Sequence, residues 1–305
     1  MKILIAGGTG FVGRSLTKAL AEKGHLLTIL TRDASRWQPL ARNISLLPYN
    51  CPEQEPWKRA VSAHPVIINL SGASIFRFWN KKGKTEIYNS RILTTRHLVD
   101  ALDDFPQPDT QLFNFSGVGY YGFGVDEMLT EDDPPGHDFL AQVARDWESE
   151  ALRAAEFGAR VVLCRLGHVL GKNGGVLKKL LTLSRSHLGG HWGDGRQWFS
   201  WIHEADITRV MLFLLKKQNM EGPVNLATQC PVRNREFLET LNRLTGSQPL
   251  FPQIPPWVLH TLMGELSNLF LTGQRVSPVK LDERGFVFQH PSLENALKSL
   301  IGEDQ

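Results

Sequence analysis

Short apolar runs alternate along the first half of the chain with segments in which apolar residues recur at helical spacing. The runs predict strands that are buried on both faces. The segments between them predict helices, because a helix on the surface of a sheet turns only one face toward the core. Glycine and other turn residues separate the two, and Gly24 ends the first predicted helix. The predicted strands are 2–6, 26–31, 66–70, 112–116 and 161–166, and the main predicted helices are 11–23, 84–102 and 139–157.

This order predicts an α/β fold, a Rossmann-type doubly wound parallel sheet whose ligand crevice lies at the carboxyl ends of the strands. The rhythm changes near residue 171, where a helical pattern at 177–183 is followed by a glycine-rich segment at 189–195. One more strand is predicted at 224–227, and prolines precede a helix near 259–271. We therefore assign residues 1–170 to a nucleotide-binding domain, with returning segments near 199–230, and residues 171–305 mainly to a smaller C-terminal lobe that caps the crevice.

Composition narrows the classes of function. The chain has 305 residues, of which 42% are hydrophobic and 21% charged, as in an ordered globular protein. Scattered basic residues and a net charge of +3 argue against a nucleic-acid partner. No apolar run approaches the roughly 18 residues of a membrane span. Cys51, Cys164 and Cys230 lack metal or redox spacing and predict free thiols, so we expect a cytoplasmic protein with no membrane partner and no metal site.

The turn after the first predicted strand carries the pattern G-x-x-G-x-x-G. Its position between a strand and a helix makes it a specific signal for a dinucleotide, because the free N–H groups at a helix N-terminus attract phosphate. The first glycine permits the tight turn, the second lets backbone approach a pyrophosphate, and the third lets helix and strand pack closely. The predicted contacts at this turn are Gly7, Thr9, Gly10, Phe11, Val12 and Gly13.

The end of the second predicted strand selects between the two nicotinamide cofactors. Proteins that bind NAD have an acidic residue there that holds the ribose 2′-hydroxyl, whereas an arginine accommodates the 2′-phosphate of NADP. Here the strand ends in Thr31-Arg32-Asp33. Arg32 favours NADP(H), and Asp33 leaves NAD(H) as the alternative.

Several further stretches share one recognisable pattern. They are Asn69-Leu70-Ser71-Gly72, Ser116-Gly117-Val118-Gly119-Tyr120-Tyr121-Gly122, Arg145-Asp146-Trp147-Glu148, the segment 188–203, and Gly273-Gln274-Arg275 followed by Gly285-Phe286. Together with the glycine turn they resemble the extended short-chain dehydrogenases and, more narrowly, the YfcH-like epimerase family of atypical members. The resemblance implies a Rossmann domain that binds NADP(H) and a small C-terminal domain. If the protein is an enzyme, we expect a small-molecule substrate, for which a nucleotide sugar is one candidate. By position the resemblance implies cofactor contacts at Thr31, Arg32, Leu70, Ser71, Glu86, Arg91 and Val169.

One expected feature of that superfamily is missing. Its members carry a tyrosine that exchanges a proton with the substrate and, four residues later, a lysine that lowers the tyrosine pKa. The corresponding stretch, HDFLAQVARDWE at 137–148, contains neither. Ser116 stands where a serine would polarise the substrate oxygen, although a strand-end hydroxyl could instead bond its own backbone. The candidate proton donors are Tyr120, Tyr121 and His203; the tyrosines could equally pack beneath their loop, and His203 could orient a loop.

Two functional hypotheses follow from this mixture. The first is an NADP(H)-dependent oxidoreductase or epimerase-like enzyme that lacks the usual Tyr-x-x-x-Lys pair. The second is an NADPH-binding regulatory or interaction protein without turnover. The aromatic segment 191–203 can be a ligand wall or packing between the two lobes, and the oligomeric state is left open.

Overall fold

The computed structural model of the protein describes residues 1–39, 41–49, 55–105, 107, 109–124 and 126–302. Strands β1 to β15 span Lys2–Ala6, Leu26–Thr31, Ile44–Pro48, Val66–Asn69, Gln111–Gly117, Met128–Leu129, Arg160–Leu166, His168–Gly171, His191–Trp192, Trp198–Phe199, Trp201–His203, Gly222–Leu226, Val232–Arg233, Gln253–Ile254 and Arg275–Val276. Helices α1 to α11 span Phe11–Glu22, Glu55–Ser62, Lys81–Asp104, Phe139–Leu152, Gly175–Arg185, Glu204–Lys216, Asn234–Thr245, Pro256–Met263, Asn268–Leu271, Val279–Glu283 and Leu293–Ile301.

Seven strands form one parallel sheet in the order β12-β7-β5-β4-β1-β2-β3. The five strands predicted in the first half are all present, and each boundary lies within one residue of the prediction. Strand β3 was not predicted. It lies at the edge of the sheet, where it pairs only with β2, and its polar Ser45 and terminal Pro48 weaken the apolar signal.

Helices cover both faces of this sheet, which confirms the predicted doubly wound fold. On one face α1 and α6 pack against the sheet through residues that include Leu16, Leu20 and Val210. On the other face α2 and α3 do so through Val61 and Leu98 among others. The two apolar layers leave the carboxyl ends of the central strands open to a ligand.

A third apolar cluster lies in the second half of the chain, where α5, α7 and α11 pack around the fully buried Trp201 and Phe237. Strand β12 returns from this half to the main sheet beside β7. The domain boundary at residue 170 stays a prediction. The prediction of a single helix near 259–271 was wrong. Gly264, with a φ of 58°, ends α8, and a short 3₁₀ turn then leads into α9.

Candidate functional site

The glycine turn between β1 and α1 has the geometry of an open anion site. Gly7 has a φ of 79°, and its carbonyl accepts a hydrogen bond of 3.0 Å from the Gly10 N–H. A Cβ on Gly13 would lie 2.7 Å from the Gly8 Cα, so only glycine lets the helix approach the turn. Gly10 caps α1 without a side-chain hydrogen bond, and the first N–H groups of the helix stay available to a ligand.

A cleft of about 490 Å³ opens beside this turn, and we call it the nucleotide cleft. It runs along the carboxyl ends of β1, β2 and β4. The sequence-predicted residues that line it are Gly7, Thr9, Gly10, Thr31, Arg32, Leu70 and Ser71. Arg14 also lines it, and its Nε donates a hydrogen bond of 2.9 Å to the Thr9 carbonyl.

Asp33, the carboxylate that would serve NAD, also lines the nucleotide cleft, but it caps the turn that follows β2. Asp33 Oδ1 accepts hydrogen bonds from the Ser35 backbone N–H at 3.1 Å and from the Ser35 hydroxyl at 2.6 Å. These bonds cap the short 3₁₀ turn Ala34–Arg36. Arg32 is exposed at the mouth of the nucleotide cleft.

A second cleft of about 280 Å³, here called the inner cleft, adjoins the turn on the other side. The predicted residues that line it are Phe11, Arg91, Ser116 and Val169. Its α4 wall consists of Leu140, Val143, Ala144 and Trp147. Residues three and four apart on a helix share a face, so this apolar wall comes from the stretch 137–148, which lacks the expected tyrosine and lysine.

Three of the predicted cofactor residues line neither cleft. Gly13 is buried where α1 approaches the backbone of the turn. Val12 is half-buried and packs against the core on the α1 side of the sheet. Glu86 forms an ion pair with Arg77 and lies on α3 outside both linings. A role for Glu86 therefore stays an expectation from the family resemblance alone.

Arg91 is a half-buried cation that lines the inner cleft. Its NH1 donates to the backbone carbonyls of Ala73 and Ile87, both at 3.0 Å, and its guanidinium lies 5.1 Å from the Trp147 ring. Burial and the nearby Arg77 lower the pKa of Arg91 to about 10, so it stays charged at neutral pH. No carboxylate pairs with it among the residues that the structure describes, which leaves an uncompensated positive charge beside the clefts.

Ser116 is tied into a buried charged network beneath the inner cleft. Its hydroxyl donates a hydrogen bond of 2.6 Å to Glu148 Oε1, not to its own backbone. Arg165 Nε donates to the same oxygen at 3.0 Å, and Arg165 NH2 donates to Glu148 Oε2 at 2.9 Å. The Ser116 oxygen can still accept a hydrogen bond from a ligand, whereas its proton is engaged.

The two tyrosines pack against Arg165 and lie outside both cleft linings. The Tyr121 hydroxyl donates to Asn225 Oδ1 at 2.7 Å and accepts from Arg165 NH1 at 3.0 Å. Burial raises the pKa of Tyr121 to about 12, despite the neighbouring guanidinium. The Tyr120 ring stacks 3.5 Å from the same guanidinium. Neither tyrosine lines a cleft, and these contacts favour the packing alternative.

His203 lies at the N-terminus of α6, away from both cleft linings. Its Nδ1 accepts the Ala205 N–H at 3.0 Å, and its ring stacks 3.8 Å from the ring of His290. Burial, and then the charge of His290, lower the pKa of His203 to about 4. The ring therefore caps a helix in its neutral form. Trp201 has a structural role, since its side chain is buried in the apolar cluster of the C-terminal half.

Three residues of the site have no role in the sequence prediction: Arg165, His168 and Glu148, which was named only as part of a family motif. Arg165 could have been noticed because it interrupts the apolar run of β7, and a charge in a buried strand needs a partner. His168 follows that strand, lines the inner cleft and stacks 4.3 Å from the Phe199 ring. Burial lowers the pKa of His168 to about 4, and its ring makes no hydrogen bond to any residue in the described part of the chain.

Within the described ranges, no group of three or more histidine, cysteine or acidic side chains could hold a metal ion. None of the described helices combines the length and apolar character needed to cross a membrane. Cys164 is a buried free thiol and Cys230 an exposed one, while Cys51 lies outside the described residues.

Two family models match the chain. Residues 3–227 match the NAD dependent epimerase/dehydratase family. Residues 254–300 match a domain of unknown function, DUF1731. The second match covers β14 to α11, including the segment that contributes Leu269, Thr272 and Gln274 to the inner cleft.

Individual proteins are similar over the whole chain. An Arabidopsis thaliana protein named "Epimerase family protein SDR39U1 homolog, chloroplastic" is 34% identical over 99% of this chain and 87% of its own length. The Bacillus subtilis epimerase family protein YfhF is 35% identical over 99% of both chains. The crystal structure of human epimerase family protein SDR39U1 (isoform 2) with NADPH has a TM-score of 0.85 at 30% identity, covering 100% of both chains. A UDP-glucose 4-epimerase from Thermotoga maritima, solved with UDP-glucose, has a TM-score of 0.80 at 21% identity over 99% of this chain and 98% of its own, and it shows the fold alone.

Proposed function

The chain belongs to the NAD dependent epimerase/dehydratase family, and from that premise we propose that it binds NADPH and reduces a small carbonyl compound in the inner cleft. The membership confirms the family resemblance inferred from the sequence motifs. The cofactor would lie across the glycine turn, with its adenosine end in the nucleotide cleft and its nicotinamide end in the inner cleft. When bound, NADPH would supply a hydride to the carbonyl carbon, and the carbonyl oxygen would take its proton from solvent.

The residues of both clefts fit this cofactor. The uncapped N-terminus of α1 offers N–H groups to a pyrophosphate, and Arg91 offers a nearby cation. Phe11 and Val169 would wall the nicotinamide end, while Leu70 and Ser71 line the nucleotide cleft. The human relative solved with NADPH shares this fold along the whole chain.

The observation that carries the choice of NADPH over NADH is at the end of β2. The Asp33 carboxylate caps its own turn, and the Arg32 guanidinium stands exposed at the cleft mouth. A guanidinium pairs with the 2′-phosphate of NADPH through charge-assisted hydrogen bonds. The neutral 2′-hydroxyl of NADH offers it a much weaker interaction. The proposed preference therefore rests on Arg32.

A second candidate function is an NADPH-binding protein without turnover. The apolar α4 wall favours it, because no side chain there can donate a proton to a reduced substrate. Within the first candidate, Ser116 and His168 are the polar side chains placed to contact a substrate oxygen. Oxidation of bound NADPH in the presence of a panel of carbonyl compounds separates the two candidates.

The test of the cofactor is a paired fluorescence titration with NADPH and NADH. We expect NADPH to bind at least about tenfold more tightly, and Arg32→Ala to remove most of that preference. Lys18→Ala is the matched control, since Lys18 is a cation on exposed α1 surface with its side chain 68% accessible. If neither nucleotide binds at physiological concentration, or if Arg32→Ala leaves the ratio unchanged, the proposal is wrong.

A further inference from the structure

The inner cleft is walled by large apolar side chains that are only half-buried. Ile75 and Phe76 come from the loop after β4, Phe123 from the loop after β5, Leu140 from α4 and Leu269 from the DUF1731 segment. Half-buried apolar side chains that converge on an open space are the usual lining of a site for an apolar ligand. The domain of unknown function therefore supplies part of this wall.

The polar side chains of the lining are mostly engaged within the protein. Gln274 Nε2 donates to the Gly122 carbonyl at 2.6 Å, and the Thr272 hydroxyl donates to the Asn268 carbonyl. The Ser116 hydroxyl donates to Glu148. A sugar ring with several hydroxyls would find few free partners here, and each unpaired hydroxyl costs about tenfold in affinity.

The charges of the inner cleft also argue against a nucleotide sugar. Arg91 is the one charged side chain among the described residues of the inner lining, and the proposed function assigns it to the cofactor. A nucleotide sugar brings a second diphosphate, which would need cations of its own. The lining offers none among its described residues beyond Arg91.

His168 is the exception among the polar groups. Its ring lines the cleft, stacks on Phe199 and makes no hydrogen bond within the described part of the chain. A neutral imidazole has one N–H donor and one acceptor nitrogen. Such a group in an apolar cleft suits a ligand that carries a single oxygen.

From these contacts we propose that the inner cleft binds an apolar carbonyl compound, not a nucleotide sugar, and that His168 donates a hydrogen bond to its oxygen. The proposal rests on the proposed function, because it places this ligand beside the nicotinamide end of the bound cofactor. It names the substrate class of that site and gives the DUF1731 segment a role as its wall.

Calorimetric titration of the whole protein, with and without saturating NADP⁺, tests the ligand class. The probes are benzophenone, diphenylmethane, which has the same two rings without the carbonyl, and UDP-glucose. We expect benzophenone to bind saturably and at least about tenfold more tightly than UDP-glucose. The carbonyl should improve affinity about threefold to tenfold over diphenylmethane, the range of one hydrogen bond.

Variants place the probe in the cleft. His168→Phe keeps the ring stack on Phe199 and removes both nitrogens, so it should abolish the preference for benzophenone over diphenylmethane. Leu140→Asn and Leu269→Asn put an unpaired amide on two different walls and should each weaken benzophenone about tenfold. Leu262→Asn is the control, because Leu262 is 67% exposed on α8 and lines neither cleft.

Each other outcome overturns the proposal. These outcomes are UDP-glucose binding as tightly as benzophenone, no saturable benzophenone binding in either cofactor state, and an unchanged affinity in both wall variants. A carbonyl preference that survives His168→Phe overturns the role of His168. NADPH titration of the same preparations keeps the two proposals apart: loss of NADPH binding with intact benzophenone binding contradicts the proposed function alone.

Discussion

Glu148 and Arg165 form a bidentate ion pair beneath the inner cleft, with Nε–Oε1 and NH2–Oε2 distances of 3.0 and 2.9 Å. Their side chains are 5% and 3% exposed. Ser116 donates to the same carboxylate, so the pair joins α4 to the neighbouring strands β5 and β7. Interactions this far from water are shielded little, and each charge depends on the other.

We therefore predict that Arg165→Leu lowers the free energy of unfolding by about 3–5 kcal/mol, because it leaves the Glu148 carboxylate buried without a counter-charge. Urea denaturation measures the change. Arg145→Leu is the control, an exposed arginine on α4 that contacts Asp146, and it should stay within about 0.5 kcal/mol. Equal losses in the two variants would contradict the structural role of the buried pair.

The glycine turn gives a second prediction. Gly13→Ala should lower stability by about 1–3 kcal/mol and weaken NADPH at least about tenfold, since the new methyl group must push α1 away from the Gly8 backbone. The control is Gly302→Ala, at a position with a φ of −74° and no atom within 4 Å of the added Cβ. Thermal unfolding and nucleotide titration check both variants, and unchanged NADPH affinity in Gly13→Ala would remove the turn from the cofactor site.

These two sites differ in how far the sequence could predict them. The glycine turn is local: strand, turn and helix follow one another within the first 22 residues, so spacing alone predicts the arrangement. Glu148 and Arg165 belong to different elements, α4 and β7, and are brought together only by the tertiary fold. A pattern of apolar positions gives each element but not the partner of a buried charge, and the pairing was therefore missed.

The absence of tertiary contacts from a sequence pattern also explains why the candidate proton donors lie outside the clefts. Tyr121 and His203 were singled out by residue type and by position near strand ends, which a one-dimensional pattern can give. The direction of a side chain at a strand end depends on what packs there. The Tyr121 hydroxyl turns toward Asn225 from β12, a strand that returns from a distant part of the sequence.

A third prediction concerns pH. Burial and His290 hold the pKa of His203 at about 4 in the folded protein, below its ordinary value of 6.5. The unfolded chain thus binds the proton more readily between these values, and stability should fall as pH drops from about 6.5 toward 4. His203→Asn keeps a helix-capping side chain without a titrating group and should flatten this decline.

Melting temperatures measured from pH 7 to pH 4 test this expectation. Part of the decline of melting temperature with pH should remain in His203→Asn. Burial lowers the pKa of His168 to about 4, so His168 contributes in the same pH range. His290 and Asp206, which accepts the His290 backbone N–H, are the other titratable groups at this place. A slope identical to that of the wild type would show that His203 does not contribute to the acid sensitivity.

The last prediction separates packing from catalysis at the tyrosine pair. Tyr121→Phe removes a hydroxyl that serves both Asn225 and Arg165, so it should lower the free energy of unfolding by about 1–3 kcal/mol. It should leave NADPH affinity and any NADPH oxidation unchanged, because that hydroxyl lies outside both clefts. Tyr120→Phe is the matched control: its ring stays against Arg165, and its hydroxyl makes no hydrogen bond to a described residue.

Ser116→Ala provides the contrast. Ser116 lines the inner cleft, so its replacement should slow any detected turnover more than Tyr121→Phe does, while NADPH still binds. The comparison needs both denaturation curves and initial rates of NADPH oxidation for the three variants. If Tyr121→Phe abolished turnover and left the unfolding free energy unchanged, the proton donor would be Tyr121 after all, and the substrate would have to reach it by a rearrangement of the loop that follows β5.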